Sequence, residues 1–205
     1  MVLSLLLVAA QALTMAQTQP IGYADYPQDK LTAEQSAAVI VQVFIGVDGK
    51  AQRCNQQTAI GDTSFGAITC GMLMRRHWKP ARLPDGTASP ALYSDLIRWF
   101  LPGTKMGDQV GAAAMKPDIE LTAQSLPDGQ KGPVRLNTVI LVNEAGAILQ
   151  CDGEQTDAFP ALVRAACGAL LGQQFAKTTG ADGKPTPYIS KARVQISVGK
   201  AQQIK

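Results

Sequence analysis

A chain of 205 residues with 46% hydrophobic and 17% charged residues suits one ordinary domain or two small ones and is too apolar for a disordered segment. Its net charge of +3 carries no basic cluster beyond Arg75, Arg76, Lys79 and Arg82, so the broad cationic face that nucleic acid requires is missing. With His77 as its single histidine, a His-built zinc site or a His-centred catalytic group is not expected.

Residues 1–16 open with an apolar stretch over 3–13. Small residues at Ala10 and Ala12, and again at Thr14 and Ala16, have the small-x-small form of a signal-peptidase site. The stretch is shorter than the roughly 20 apolar residues that span a bilayer. A cleaved signal peptide over 1–16 is the expectation, with a mature chain starting near Leu13 or Gln17. An uncleaved anchor and a buried core segment are the alternatives.

Residues 17–38 are polar and contain Tyr23, Tyr26-Pro27 and room for a short helix near Thr32. Val39, Val41, Val43, Ile45 and Val47 then alternate with Ile40, Gln42, Phe44 and Gly46, the period of a strand with one strongly buried face. Asp48-Gly49 is a favoured two-residue hairpin turn, because glycine tolerates positive φ. The return strand is expected over 50–58. Asp62, Thr63 or Ser64 can cap the following helix by accepting from its first amides. Phe65, Ile68, Met72 and Arg76 share a helical stripe, with Leu73 beside it and Cys70 on its flank. Pro80 ends this helix, and His77 near its C-terminus reads as a favourable cation. Pro84-Asp85-Gly86 is a turn. A third strand over 91–101 puts Tyr93, Ile97 and Trp99 on one face and Leu92, Leu96 and Phe100 on the other. Residues 103–133, rich in Gly, Pro and small residues, read as a linker with room for a short strand over 118–122.

The pattern then returns at a constant offset of 97 residues. Gly49 maps to Gly146, Cys54 to Cys151, Cys70 to Cys167, Trp78 to Phe175, Asp85-Gly86 to Asp182-Gly183 and Pro90 to Pro187. An internal duplication explains this. In the second copy Leu136, Thr138, Ile140 and Val142 form one strand face, and a helix starting near Asp157 carries Phe159, Leu162, Val163, Ala166 and Leu170. The last strand is expected to bury Val194, Ile196 and Val198.

Four cysteines, two per copy at equal spacing, read as one disulfide in each, Cys54 with Cys70 and Cys151 with Cys167. A redox couple would place its thiols two residues apart, and a Cys-built zinc site would bring its ligands in close pairs; neither spacing occurs. Asp85 and Asp182 are explained by turn chemistry, and Asp152 with Glu154 by its surroundings beside a turn. No nucleophile elbow, phosphate loop or dinucleotide fingerprint is present, so neither an enzyme nor a cofactor is expected.

Taken in order, Tyr26-Pro27, the strand into Asp48-Gly49-Lys50, the helix, the Trp78-Lys79-Pro80-Ala81 ending, Asp85-Gly86 and the final strand resemble the C-terminal domain of TonB-family proteins. Ala67 to Cys70 as Ala-x-x-Cys, and Ile97-Arg98-Trp99 with Leu101-Pro102, resemble its cysteine-containing variants. The likeness covers about residues 23–103. Residues 136–198 look like a degenerate copy that reads Phe175-Ala176-Lys177-Thr178 where the first has its Pro-Ala ending. The implied fold is α+β: two tandem small domains, 17–102 and 134–199, each an antiparallel sheet of about three strands packed on a helix. The implied place is the periplasm, and the implied role is to bind an envelope protein or peptide, an outer-membrane receptor among them, by strand addition. The strand over 91–101, with Tyr93, Ile97 and Trp99, is the expected surface. An anchored component of TonB-dependent energy transduction is the alternative if the N-terminal segment stays uncleaved. Open sheet edges also allow a homodimer.

Overall fold

The computed structural model describes residues 12–127, 130, 132–154 and 159–199. A 3-10 turn (Tyr23–Asp25) and α1 (Gln28–Thr32) precede the first half, which comprises β1 (Ala37–Ile45), β2 (Ala51–Gly61), α2 (Ser64–Arg75), β3 (Ala81–Arg82), β4 (Ala88–Ser89) and β5 (Ala91–Trp99). Then come α3 (Lys105–Ala112) and β6 (Ile119–Ala123). The second half comprises β7 (Val134–Val142), β8 (Ile148–Gly153), α4 (Pro160–Leu170) and β9 (Tyr188–Val198). The expected helix start at Asp157, the leader through residue 11 and the tail beyond 199 lie outside the described residues.

The expected alternation holds in β1, where Val39, Val41, Val43 and Ile45 are completely buried on one face. The turn glycines have a second duty besides positive φ. Gly49 has φ 74° and Gly146 φ 89°. A Cβ on Gly49 would stand 2.2 Å from the Trp78 carbonyl oxygen, and one on Gly146 2.5 Å from that of Phe175. The chain leaving each helix folds back onto the turn, where the Trp78 amide donates to the Gly49 carbonyl at 3.2 Å and the Phe175 amide to the Gly146 carbonyl at 2.8 Å. Only glycine permits that approach.

The buried stripe of α2 differs from the expected one. It runs through Phe65, Thr69 and Leu73, with Ile68 and Met72 only partly covered. A polar residue, Thr69, takes the central place because its hydroxyl is engaged on both sides: it donates to the Phe65 carbonyl at 2.6 Å and accepts from Trp99 Nε1 at 2.8 Å. The stripe of α4 keeps the expected residues, Ala166 and Leu170 being buried and Phe159, Leu162 and Val163 packed against the same cluster.

The strands of both halves lie in one seven-stranded sheet of order β2-β1-β5-β9-β7-β8, with β6 also paired to β9. The expectation of two separate three-stranded sheets is corrected accordingly. The join is a short parallel seam in which Ala91 meets Ile189 and Leu92 meets Ser190. Beyond it β9 takes β6 as its neighbour, from Ile119 opposite Val194 to Ala123 opposite Val198. The stretch read as a linker over 103–133 thus supplies a helix and a strand. An unpaired edge on β9 would leave a row of backbone donors and acceptors without partners, and β5 and β6 divide that row between them.

This seam decides which face each helix covers. Directly opposed residues point to the same side of a sheet. Leu92 opposes Ser190, although the residue that matches Leu92 at the 97-residue offset is Ile189. The shift of one turns equivalent faces to opposite sides, so α2 and α4 cover opposite faces of the sheet. Each half is left with one face its own helix does not reach. On the first half that face, with Ala38, Ile40 and Leu96, is closed by Val110 of α3 and by Ala113 and Met115. On the second half, Val139 and Leu141 are closed by Leu13, Met15 and Ala16. These three residues, inside the segment assigned to the leader, are therefore part of the core.

Val194 and Ile196 are buried as expected, but Val198 is 53% exposed and corrects that reading. Its side of β9 is right; it lies past the cover.

Candidate functional site

Both expected disulfides are present. Cys54–Cys70 clips β2 to α2, and Cys151–Cys167 clips β8 to α4. Among the described residues no three His, Cys, Asp or Glu side chains come together as metal ligands. His77 is exposed. Asp85 and Asp182 accept from the amides of Thr87 and Lys184 inside their turns, at 2.8 and 3.1 Å. The Thr87 amide holds the Asp85 carboxyl below the ordinary range.

The side chains of Tyr93, Ile97 and Trp99 do not form a surface. All three face the core under α2. Trp99 is 2% exposed and packs edge-on against Tyr26 at 5.5 Å between ring centroids. Tyr93 packs on Trp78 at 5.0 Å and donates to Asp95 Oδ2 at 2.7 Å. Burial first, and then the Asp95 charge, push the Tyr93 hydroxyl far above its usual pKa. Aromatic area on a strand is as useful to a core as to a partner, and here the core takes it.

What β5 does offer is backbone. Along its whole length one edge pairs with β1, but the other pairs with β9 only at Ala91 and Leu92. From Tyr93 onward β5 and β9 part, and the sheet forks. Peptide groups of Leu92, Ser94 and Leu96 point into the fork and are met by side chains. The Leu92 carbonyl accepts from Ser190 Oγ at 2.8 Å, the Ser94 carbonyl from Arg193 Nη1 at 3.4 Å, and the Leu96 amide donates to Asp95 Oδ1 at 2.8 Å. The cleft has a volume of about 310 Å³ and is bounded by β5, by residues 114–117 and by β7 and β9.

Among the described residues four cations line this cleft, Arg98, Arg135, Lys191 and Arg193, with the carboxylate of Asp95 in the lining and those of Asp118 and Glu154 beside it. Each cation is held. Arg98 donates twice to the Ala113 carbonyl, Arg135 to Gln195 Oε1 at 3.1 Å, and Lys191 pairs with Glu154. Arg193 pairs with Asp118 at 3.2 Å, yet its Nε is buried without a hydrogen-bond partner. Arg98 and Arg135 are exposed and, among the described residues, bonded only to neutral oxygens, so their guanidinium groups keep the charge and the forked geometry that a carboxylate suits. Sequence reading did not find these four residues. They come from three strands far apart in the chain, and no local spacing links them.

No protein-family model, curated protein or solved structure matches the chain.

Proposed function

We propose that the protein is an exported interaction module that binds an extended, acidic segment of an envelope protein or peptide by strand addition to β5 in the fork. The observation that carries this reading is the loss of β5's second neighbour beyond Leu92, which opens a sheet edge into a cleft lined by Arg98, Arg135, Lys191 and Arg193. A ligand strand there would take main-chain bonds from Ser94 to Arg98, while the cations select its charge. The resemblance to TonB-type C-terminal domains supports the same mode of binding. The two disulfides suit an oxidising compartment such as the periplasm. Among the described residues no helix is long and apolar enough to cross a membrane. Binding rather than catalysis is the role we assign.

A displayed library of random peptides, selected on the oxidised protein, tests this. Acidic, extended sequences are expected, with affinity falling steeply as salt rises. Arg193→Glu should weaken the best peptide at least about tenfold, the equivalent of ~1.4 kcal/mol. Ser94→Pro, which removes a donor on the fork side and leaves the β1 ladder intact, should do the same. Peptides whose binding ignores both substitutions and the salt concentration would refute the reading.

A further inference from the structure

The first residues described belong to the fold and not to an appendage. Leu13, Met15 and Ala16 are 3%, 7% and 3% exposed. Thr14 exchanges both main-chain bonds with Arg82, at 3.0 and 3.1 Å, and Gln17 exchanges both with Lys79, at 3.0 and 2.7 Å. The segment is thus bridged antiparallel to residues 79–82, and it closes the face of the second half that α4 does not reach. Of the two small-x-small sites, scission after Ala16 would strip three core side chains and the Thr14 ladder. Scission after Ala12 removes none of them.

A second observation points to the same bond. The Leu13 main-chain nitrogen donates to Asp152 Oδ2 at 3.0 Å, and the same oxygen accepts from Gln150 Nε2 at 2.8 Å. Asp152 lies on β8, in the second half. Ala12, just upstream, is only partly covered. Within the chain Leu13 N is an amide. As a chain terminus it would be an ammonium, with an ordinary pKa of about 7.7–8.0 and a charge opposite to that of the carboxylate already facing it. The other charged groups at this groove are Glu154, which is tied to Lys191, and Lys79 and Arg82 across from it.

We propose that a signal peptidase cuts between Ala12 and Leu13, and that the new Leu13 α-ammonium is held by Asp152 as a structural ion pair. The step is a hydrolysis. Water adds hydroxyl to the Ala12 carbonyl carbon and a proton to the Leu13 nitrogen as the amide bond breaks, and the proton of the new Ala12 carboxylic acid passes to the amine to give ammonium and carboxylate, during export and before the segment docks. The inference rests on the export reading of the previous section. It gives the signal-peptide boundary at residue 12 rather than 16.

The full chain, expressed in a bacterial host and recovered from the periplasm, tests the cut by intact mass and N-terminal sequencing. A first residue of Leu13 is expected. Exported protein starting at Gln17, or keeping residues 1–12, overturns the inference and leaves export standing. A full-length chain confined to the cytoplasm sinks both. The ion pair is tested on the processed protein by the rate of amine acylation at pH 7. Asp152 keeps the terminal amine protonated, so the near-isosteric Asp152→Asn variant should acylate at its N-terminus severalfold faster, with lysine labelling unchanged as the internal control. Equal rates would overturn the pairing.

Discussion

Trp78 and Phe175 stand at matching positions, each with its amide on the carbonyl of a turn glycine, yet Trp78 is completely buried and Phe175 only partly. The same contrast runs through both halves. The first is packed with rings: Phe65, Trp99 and Tyr26 meet at centroid distances of 5.5 to 5.8 Å, Trp78 packs on Tyr93, and Trp99 is tied to Thr69. The second is packed with Leu136, Ile140, Val142, Ala166 and Leu170 around the buried ring of Tyr188, whose hydroxyl donates to the Ala176 carbonyl, while its Phe159 and Phe175 are only partly buried. Burial pushes that hydroxyl up to about 12. Turn, bulge and disulfide are shared; the filling is not. Even the register shift recurs, between Phe44 and Ile45 in β1 and between Leu141 and Val142 in β7. The backbone path is therefore held by main-chain bonds, glycine turns and a clip, and side-chain volume is free to differ once these are in place.

This contrast is broken or sharpened most strongly by truncating the paired aromatics. Trp78→Ala should cost about 3–5 kcal/mol in denaturant unfolding, since the ring is completely enclosed. Phe175→Ala should cost clearly less. Equal losses would show that the two halves lean equally on this position. Next in size, replacing Cys54 and Cys70 together by alanine should cost about 3 kcal/mol, and the Cys151 and Cys167 pair the same, because both close loops of equal length. A twofold difference would mean that one clip constrains more than chain entropy. Thr69→Val should cost about 1–3 kcal/mol by orphaning the Trp99 indole N–H. Thermal melts will read it, and the second half, with Ala166 at the matching place, has no such polar link to lose.

The smallest effect is a pH dependence confined to the first half. The Gly22 amide, and after it the Arg76 guanidinium, hold the Asp25 carboxyl below its ordinary range. The Ser64 amide and hydroxyl, and after them Lys30, do the same for Asp62. A carboxyl with a lowered folded-state pKa stabilises the fold above its unfolded value near 4, and that contribution is lost as pH falls through the lowered value. Arg76–Asp25 and Lys30–Asp62 join residues 19–36 to α2 and its entry loop. Protection factors, exchange corrected for the intrinsic rate at each pH, should therefore fall in residues 19–36 as pH drops from about 5 to 3, with β7 and β9 still protected. Uniform loss of protection would show instead that acid unfolds the chain as one unit.

What could be read in the sequence was local. Asp48-Gly49, the alternation of Val39 to Ile45 and the cysteine spacing each depend on neighbours a few residues away, and the structure keeps all three. The face swap between α2 and α4 depends on whether Ala91 meets Tyr188 or Ile189, a one-residue choice that alternation cannot express. Val198 shows a related gap: periodicity gives the side of a strand but not how far its cover extends. Thr69 was passed over because a hydroxyl on an apolar stripe gains its place only through Trp99, thirty residues away. Leu13 and Met15 have the same apolar composition in a leader as in a core. The fork was the least legible feature, since Arg98, Arg135, Lys191 and Arg193 are gathered only by the parting of β5 from β9.

The bond from Leu13 to Asp152 also sets a clock. It spans 139 residues of chain. The contacts of β1 with β2 and β5 can close as soon as the first half is made, but this one must wait for β8 to be synthesised and threaded. Through that interval Thr14 and Gln17 can already pair with Arg82 and Lys79, but the Leu13 nitrogen has no partner, and whatever must handle the bond before it has access. When β8 arrives Asp152 takes that nitrogen, and the segment is tied to both halves of the chain before β9, made later still, completes the sheet.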